Sequence, residues 1–120
     1  MKNNEKEHPR VEFGKFVRDR RLELNIGLRE FATLIDLSPA FISKMEIGDF
    51  SPPKEENIKK MAKILKLDQD ELLAKAGKIS SDLQEIISTQ PKLYASLLRR
   101  AKKKQIEKYV SDLEGDEFWV

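Results

Sequence analysis

The 120-residue chain contains no cysteine. Disulfides, thiolate metal sites and cysteine nucleophiles are therefore excluded. Histidine is nearly as scarce: His8 stands alone, inside the charged start MKNNEKEHPR. A Ser-His-Asp triad or a histidine-ligated metal would need partners that the sequence does not supply. The five glycines are scattered, and neither the dinucleotide pattern GxGxxG nor a phosphate-binding P-loop is present. No apolar run reaches the roughly 18 residues that a membrane span requires. The polar start is unlike a signal peptide, so a cytoplasmic protein without a membrane partner is the expectation. A net charge of +2 is also too small to point to nucleic acid, which would need a local patch. Carboxylates are plentiful, but on amphipathic helices they are read as solvated. We expect no enzymatic activity, no metal and no cofactor.

What is present is helical periodicity. Phe13, Val17, Arg21 and Leu24 share one stripe of a first helix, predicted over Val11 to Leu24, with Phe16 beside them. Asn25 and Gly27, both tolerant of left-handed or irregular backbone, are predicted to end it. A second helix covers Leu28 to Ile35, and Ser38 with Pro39 reads as the cap and first position of a third. Gly48 closes that helix, and the prolines of DFSPPK forbid continuation. Ile58, Met61, Ala62 and Leu65 mark a fourth helix. Asp68 and Glu71 form a capping box for a fifth, which buries Leu72, Leu73 and Ala76 and ends at Gly77. No segment alternates with strand period. The predicted fold class is all-α: a five-helix bundle over residues 10–77 with a helical extension over 78–120. In the extension, Ser81-Asp82-Leu83-Gln84 reads as a capping box for a short helix with Ile86 and Ile87. Pro91 starts a longer helix with Leu93, Leu97, Leu98, Ala101, Ile106, Tyr109 and Val110, which carries the run RRAKKK.

The stretch LREFATLIDLSPAFISKME has the form of two short helices joined by a tight turn, the geometry that presents a second helix to the DNA major groove. Ala32 is small where the helices cross, Asp36 tolerates a positive φ, and Leu37 anchors the turn. Ile42 and Met45 would face the core, leaving a small, mild outer face. Pro39 and Ala40 admit the groove wall, Ser43 can donate or accept, and Lys44 can reach a guanine or a phosphate. Ser38 and Phe41 lie at the edge of this face. Phe41 is read either as packing at the core margin or as touching a thymine methyl.

The run RDRRLELNIGLREFATLIDLSPAFISKMEIGDFSPPKEENIKKMAKILKLDQDELL resembles the Cro/cI-like (Xre-type) helix-turn-helix regulators, over roughly Phe13 to Gly77. The resemblance implies a lambda-repressor-like bundle that binds double-stranded operator DNA, usually as a symmetric dimer and usually to repress. It also implies that Arg21 pairs with Glu46 at the end of the recognition helix, a structural pair that fixes an angle and touches no base. The sequence departs from the family in four places. Leu28 stands where many relatives carry a phosphate-binding glutamine, Asp36 where glycine is usual, Ile47 where arginine or asparagine is common, and Lys54 where a serine often caps the fourth helix. The backbone amides at the start of the second helix remain able to hold that phosphate, with Arg29 as substitute. Lys54 offers a charge in place of a cap.

The sequence therefore points to a sequence-specific regulator binding a palindromic operator as a homodimer. Two alternatives stand beside it: an autoregulating antitoxin whose residues 78–120 hold a toxin, and a protein-interaction adaptor without DNA binding. The basic run is most simply a solvated helix face. Phe118 and Trp119 either pack locally or dock a partner.

Overall fold

The computed structural model describes residues 9–102. Every regular element among them is an α-helix: α1 (Pro9–Glu23), α2 (Leu28–Ile35), α3 (Pro39–Glu46), α4 (Glu55–Leu65), α5 (Gln69–Lys75), α6 (Ser81–Thr89) and α7 (Pro91–Lys102). They divide into two compact units, one ending at Ser80 and one beginning at Ser81. The readings of His8, of Ile106, Tyr109 and Val110, and of Phe118 and Trp119 concern positions outside the described residues.

Helices of 7 to 15 residues are marginal alone, so α1 to α5 depend on the core that they share. That core is built from Phe13 and Val17 of α1, Phe31, Ala32 and Ile35 of α2, and Ile42 and Met45 of α3. Ile58, Met61, Ala62 and Leu65 of α4 and Leu72 and Leu73 of α5 complete it. Each large member contributes roughly 1.5–3 kcal/mol relative to exposure. Ala76, expected to be buried, is half-buried against the cluster's margin. On the outside, the Lys75 ammonium lies 4.5 Å from the centre of the Phe16 ring, a cation–π contact between α5 and α1.

All five helices of this unit end in one way. In each, the residue past the end has positive φ and its N–H bonds three residues back, while the next N–H bonds five back, the Schellman arrangement. The pairs are Asn25 to Leu22 with Ile26 to Arg21, Asp36 to Thr33 with Leu37 to Ala32, Gly48 to Met45 with Asp49 to Lys44, Lys66 to Lys63 with Leu67 to Ala62, and Gly77 to Ala74 with Lys78 to Leu73. Where the second residue is apolar (Ile26, Leu37, Leu67) it packs against the core, and the left-handed position is then not glycine. Burial of the following side chain offsets the steric cost of the turn. The Arg20 Nε adds a further partner at the end of α4, donating to the Leu65 carbonyl at 2.9 Å.

Three local expectations are corrected. Helix α1 already includes Pro9 and Arg10, ahead of the expected start at Val11. Gly27 is not left-handed: φ −71 and ψ 158 place it in ordinary extended backbone, capping α2 without a side-chain bond. Asn25 alone makes the turn, with φ 59. Helix α6 already includes Ser81, so the residue preceding it is the buried Ser80. Asp68 does cap α5, its carboxylate accepting from the Glu71 N–H at 2.9 Å.

In the second unit α6 and α7 pack on each other, with Pro91 opening α7. Neither helix buries a single residue, and Leu83, Ile86, Leu93, Leu97 and Leu98 all stand exposed.

Candidate nucleic-acid interface

Helix α2 leads into α3 through Asp36, which sits at φ 61 and ψ 45. This left-handed turn lets Leu37 fold back onto the core while the chain reverses into Ser38. The Ser38 hydroxyl accepts from the Phe41 N–H at 3.0 Å, and Pro39 takes the first helical position. Ile42, Met45 and Glu46 are the buried residues of α3. Ala40, Ser43, Lys44 and Ile47 follow at three- and four-residue spacing and are all exposed, so they form one outward stripe. Pro39 and Phe41 flank it half-buried, and Ser38 is exposed at its start. Arg29 is exposed in the first turn of α2, and Lys54 is exposed just before α4. Lys54 makes no side-chain cap; its ammonium lies 3.6 Å from the Glu56 carboxylate, a solvated pair of small energetic weight.

Two contacts set the pose of α3 from behind. Arg21 of α1 donates from Nε to Glu46 Oε2 at 2.8 Å and from its second terminal nitrogen to Oε1 at 2.9 Å. Its remaining terminal nitrogen donates to the Ile26 carbonyl at 2.8 Å, in the turn leading to α2. One buried guanidinium thus ties together α1, the α1–α2 turn and the last residue of α3. The hydrogen bonds to Glu46 and its charge outweigh desolvation and raise the arginine pKa above its ordinary value, so Arg21 stays charged.

The second contact is steric. A Cβ on Gly14 would fall 2.2 Å from the Met45 carbonyl oxygen and 2.7 Å from that of Glu46. Helix α1 therefore meets the C-terminal backbone of α3 directly. Gly14 escaped the sequence reading, though a signal existed: glycine inside a helix costs about 1 kcal/mol against alanine and marks close approach. The sequence reading also passed over the exposed Phe50, whose ring lies 5.5 Å from that of Phe41. Phe50 belongs to a loop with no periodicity to place it.

Chemically, the outward side of α3 offers the Ser43 hydroxyl, the Lys44 ammonium and apolar surface, with the Ser38 hydroxyl at its start and Arg29 and Lys54 as further exposed cations. Among the described residues no cluster of histidine or carboxylate side chains could hold a metal, and no helix is long and apolar enough to cross a membrane.

Residues 17–72 match the family model described as helix-turn-helix. The chain is also 36% identical over 74 residues to the HTH-type transcriptional regulator RghRB of Bacillus subtilis, covering 62% of this chain and 53% of that protein. Against the HTH-type transcriptional repressor RghR of the same organism, identity is 39% over 67 residues, covering 56% of this chain and 50% of the repressor. Over these residues the chain is similar to helix-turn-helix transcriptional regulators. It spans about half the length of these curated relatives.

Two crystal structures of the clp gene regulator ClgR from Corynebacterium glutamicum share the helix-turn-helix fold. One has a TM-score of 0.51 at 24% identity, covering 60% of this chain and 92% of that one. The other has a TM-score of 0.52 at 21% identity, covering 81% and 98%. The described helices of this chain thus share the all-helical fold of these structures.

Proposed function

We propose that this protein is a cytoplasmic repressor that binds a palindromic DNA operator as a homodimer. The observation that carries the reading is the pose of α3. Its apolar side is locked into the core and its end is clamped by Arg21, while Ala40, Ser43 and Lys44 face outward. Pro39, Ala40, Ser43 and Lys44 read base edges, with Ser43 adaptable and Lys44 reaching a guanine or a phosphate. Arg29, Ser38, Phe41 and Lys54 meet the backbone or the groove margin. A phosphate sits at the start of α2, where the first backbone amides lack helical partners and attract anions.

Phosphate contacts supply affinity, and contacts to base edges supply selectivity. The relatives named as a transcriptional regulator and a repressor support the regulatory role. Dimerisation is supported by α6 and α7, which bury no residue and expose five large apolar side chains. The same exposed face favours one second reading, in which residues 78–120 hold a different protein, such as a toxin, while the bundle autoregulates its operon. An adaptor without DNA contact has no specific observation in its favour.

Selection of bound sequences from random duplexes, followed by salt titration, tests the proposal. We expect a two-fold symmetric consensus whose half-sites lie about 34 Å, or one helical turn, apart. The affinity should fall log-linearly with salt at a slope of about −0.9 per phosphate neutralised. No enrichment, or affinity indifferent to salt, refutes it.

A further inference from the structure

The outward stripe of α3 is poor in hydrogen-bonding groups. Ala40 and Ile47 have none, and Ser43 can serve either a donor or an acceptor. Only Lys44 makes a directional demand. Selective readout then needs another kind of contact, and the apolar feature of the major groove is the C5-methyl of thymine.

The aromatic pair beside this stripe has the matching chemistry. Phe41, in the first turn of α3, is half-buried with one side against the core margin. Phe50 is 42% exposed, and its ring meets that of Phe41 at 5.5 Å between centroids with 46° between planes. This tilted arrangement is a favourable one for two aromatic rings.

Phe50 does not sit on a loose loop tip. The Lys44 carbonyl accepts from the Asp49 N–H at 2.9 Å and from the Phe50 N–H at 3.4 Å, which ties the loop to the last turn of α3. Gly48 makes the intervening turn at φ 88, and its backbone is pressed against Val11 of α1. Pro52 and the buried Pro53 stiffen the far side. An exposed phenylalanine held this firmly beside a recognition helix is a built surface.

We propose that Phe41 and Phe50 form an aromatic ledge that receives thymine methyl groups at the margin of each half-site, with Phe50 holding the Phe41 ring in position. The proposal rests on the duplex-binding reading and deepens it. The contact selects thymine over cytosine at its position without using a hydrogen bond.

The test compares the full-length protein on its selected operator with the same duplex carrying deoxyuridine for every thymidine. Base pairing is unchanged and only the methyl groups are lost. Each methyl buried in the complex is worth about fourfold in affinity, so two symmetric half-sites give roughly sixteenfold. Phe50→Ala, checked for native helix content, should bring the thymine-to-uracil ratio close to one while leaving affinity for the uracil duplex nearly unchanged. A wild-type ratio of one overturns the proposal whether or not any variant folds. So does a Phe50→Ala protein that loses affinity for both duplexes alike. Selective, salt-sensitive binding that is blind to the methyl refutes the ledge alone, whereas absence of all duplex binding refutes the underlying reading as well.

Discussion

Arg21 and Glu46 face each other through two parallel hydrogen bonds of 2.8 and 2.9 Å, both side chains more than nine-tenths buried. Twenty-five residues apart in sequence, they join the core stripe of α1 to the last residue of α3. A buried ion pair is a poor source of net stability, because desolvating two charges offsets most of their attraction. What it supplies here is an angle: a forked contact is satisfied in one orientation of α3 only. Glu46→Ala leaves a buried guanidinium without its partner and should cost about 3–5 kcal/mol. For a domain of this size that corresponds to a fall in Tm of more than 10 °C by thermal unfolding. A change within 2 °C would mean that the pair carries no such load.

Gly14→Ala tests the other restraint on α3. The added methyl meets two backbone carbonyl oxygens, Met45 and Glu46, and neither can rotate away as a side chain would. Helix α3 must shift, so operator affinity should fall together with stability, by about 1–3 kcal/mol for the overpacking alone. In an ordinary exposed helix the same change would stabilise by about 1 kcal/mol. A stabilised Gly14→Ala protein would contradict the close approach.

These two contacts show which parts of the molecule were legible in the sequence. The helix order, the buried stripes and the Ser38-Pro39 start of α3 followed from local rules, since periodicity and capping act within a few residues. The partner of Arg21 became visible only through resemblance to a family, because nothing local links position 21 to position 46. Gly14 and Phe50 were missed for a related reason. A glycine's close contact and an exposed aromatic's neighbour are both properties of tertiary geometry.

Lys66 was equally hidden. It occupies the left-handed turn after α4 at φ 59, a position that a β-carbon makes costly and that asparagine or glycine fills more readily. Lys66→Gly removes that cost and should raise stability by about 1 kcal/mol, net of glycine's greater freedom in the unfolded chain. Denaturant titration should show a higher midpoint with an unchanged m-value. A lower midpoint would indicate that the lysine side chain stabilises the turn in another way.

The division of labour within the proposed interface can be separated by two substitutions. Lys44→Ala should relax preference at one base position, costing about 1–3 kcal/mol if the ammonium meets a base edge directly. Arg29→Ala should weaken binding to every sequence by a similar factor and reduce the salt slope by about one. Both side chains are exposed, so neither change should alter the melting temperature appreciably. Selection repeated with each variant distinguishes the roles, and an altered consensus from Arg29→Ala would reverse the assignment.

The last prediction concerns the second unit. Leu83, Ile86, Leu93, Leu97 and Leu98 are each at least 40% exposed, and exposure of several large apolar side chains is costly in water. A second copy of the chain is the simplest cover, because identical faces can pack across a two-fold axis. Truncation should follow Ser80, since that residue is 2% exposed and closes the first unit, whereas an earlier cut would remove a buried position. The shortened chain keeps the whole α1–α5 core and should remain folded, helical and monomeric. It should still bind DNA weakly but lose most of its operator affinity, because two half-sites no longer share one binding event. Sedimentation of the full and truncated chains at micromolar concentration checks this directly. A monomeric full-length protein would assign the apolar face to a different partner, and a truncated chain that still dimerises would place the interface on the bundle itself.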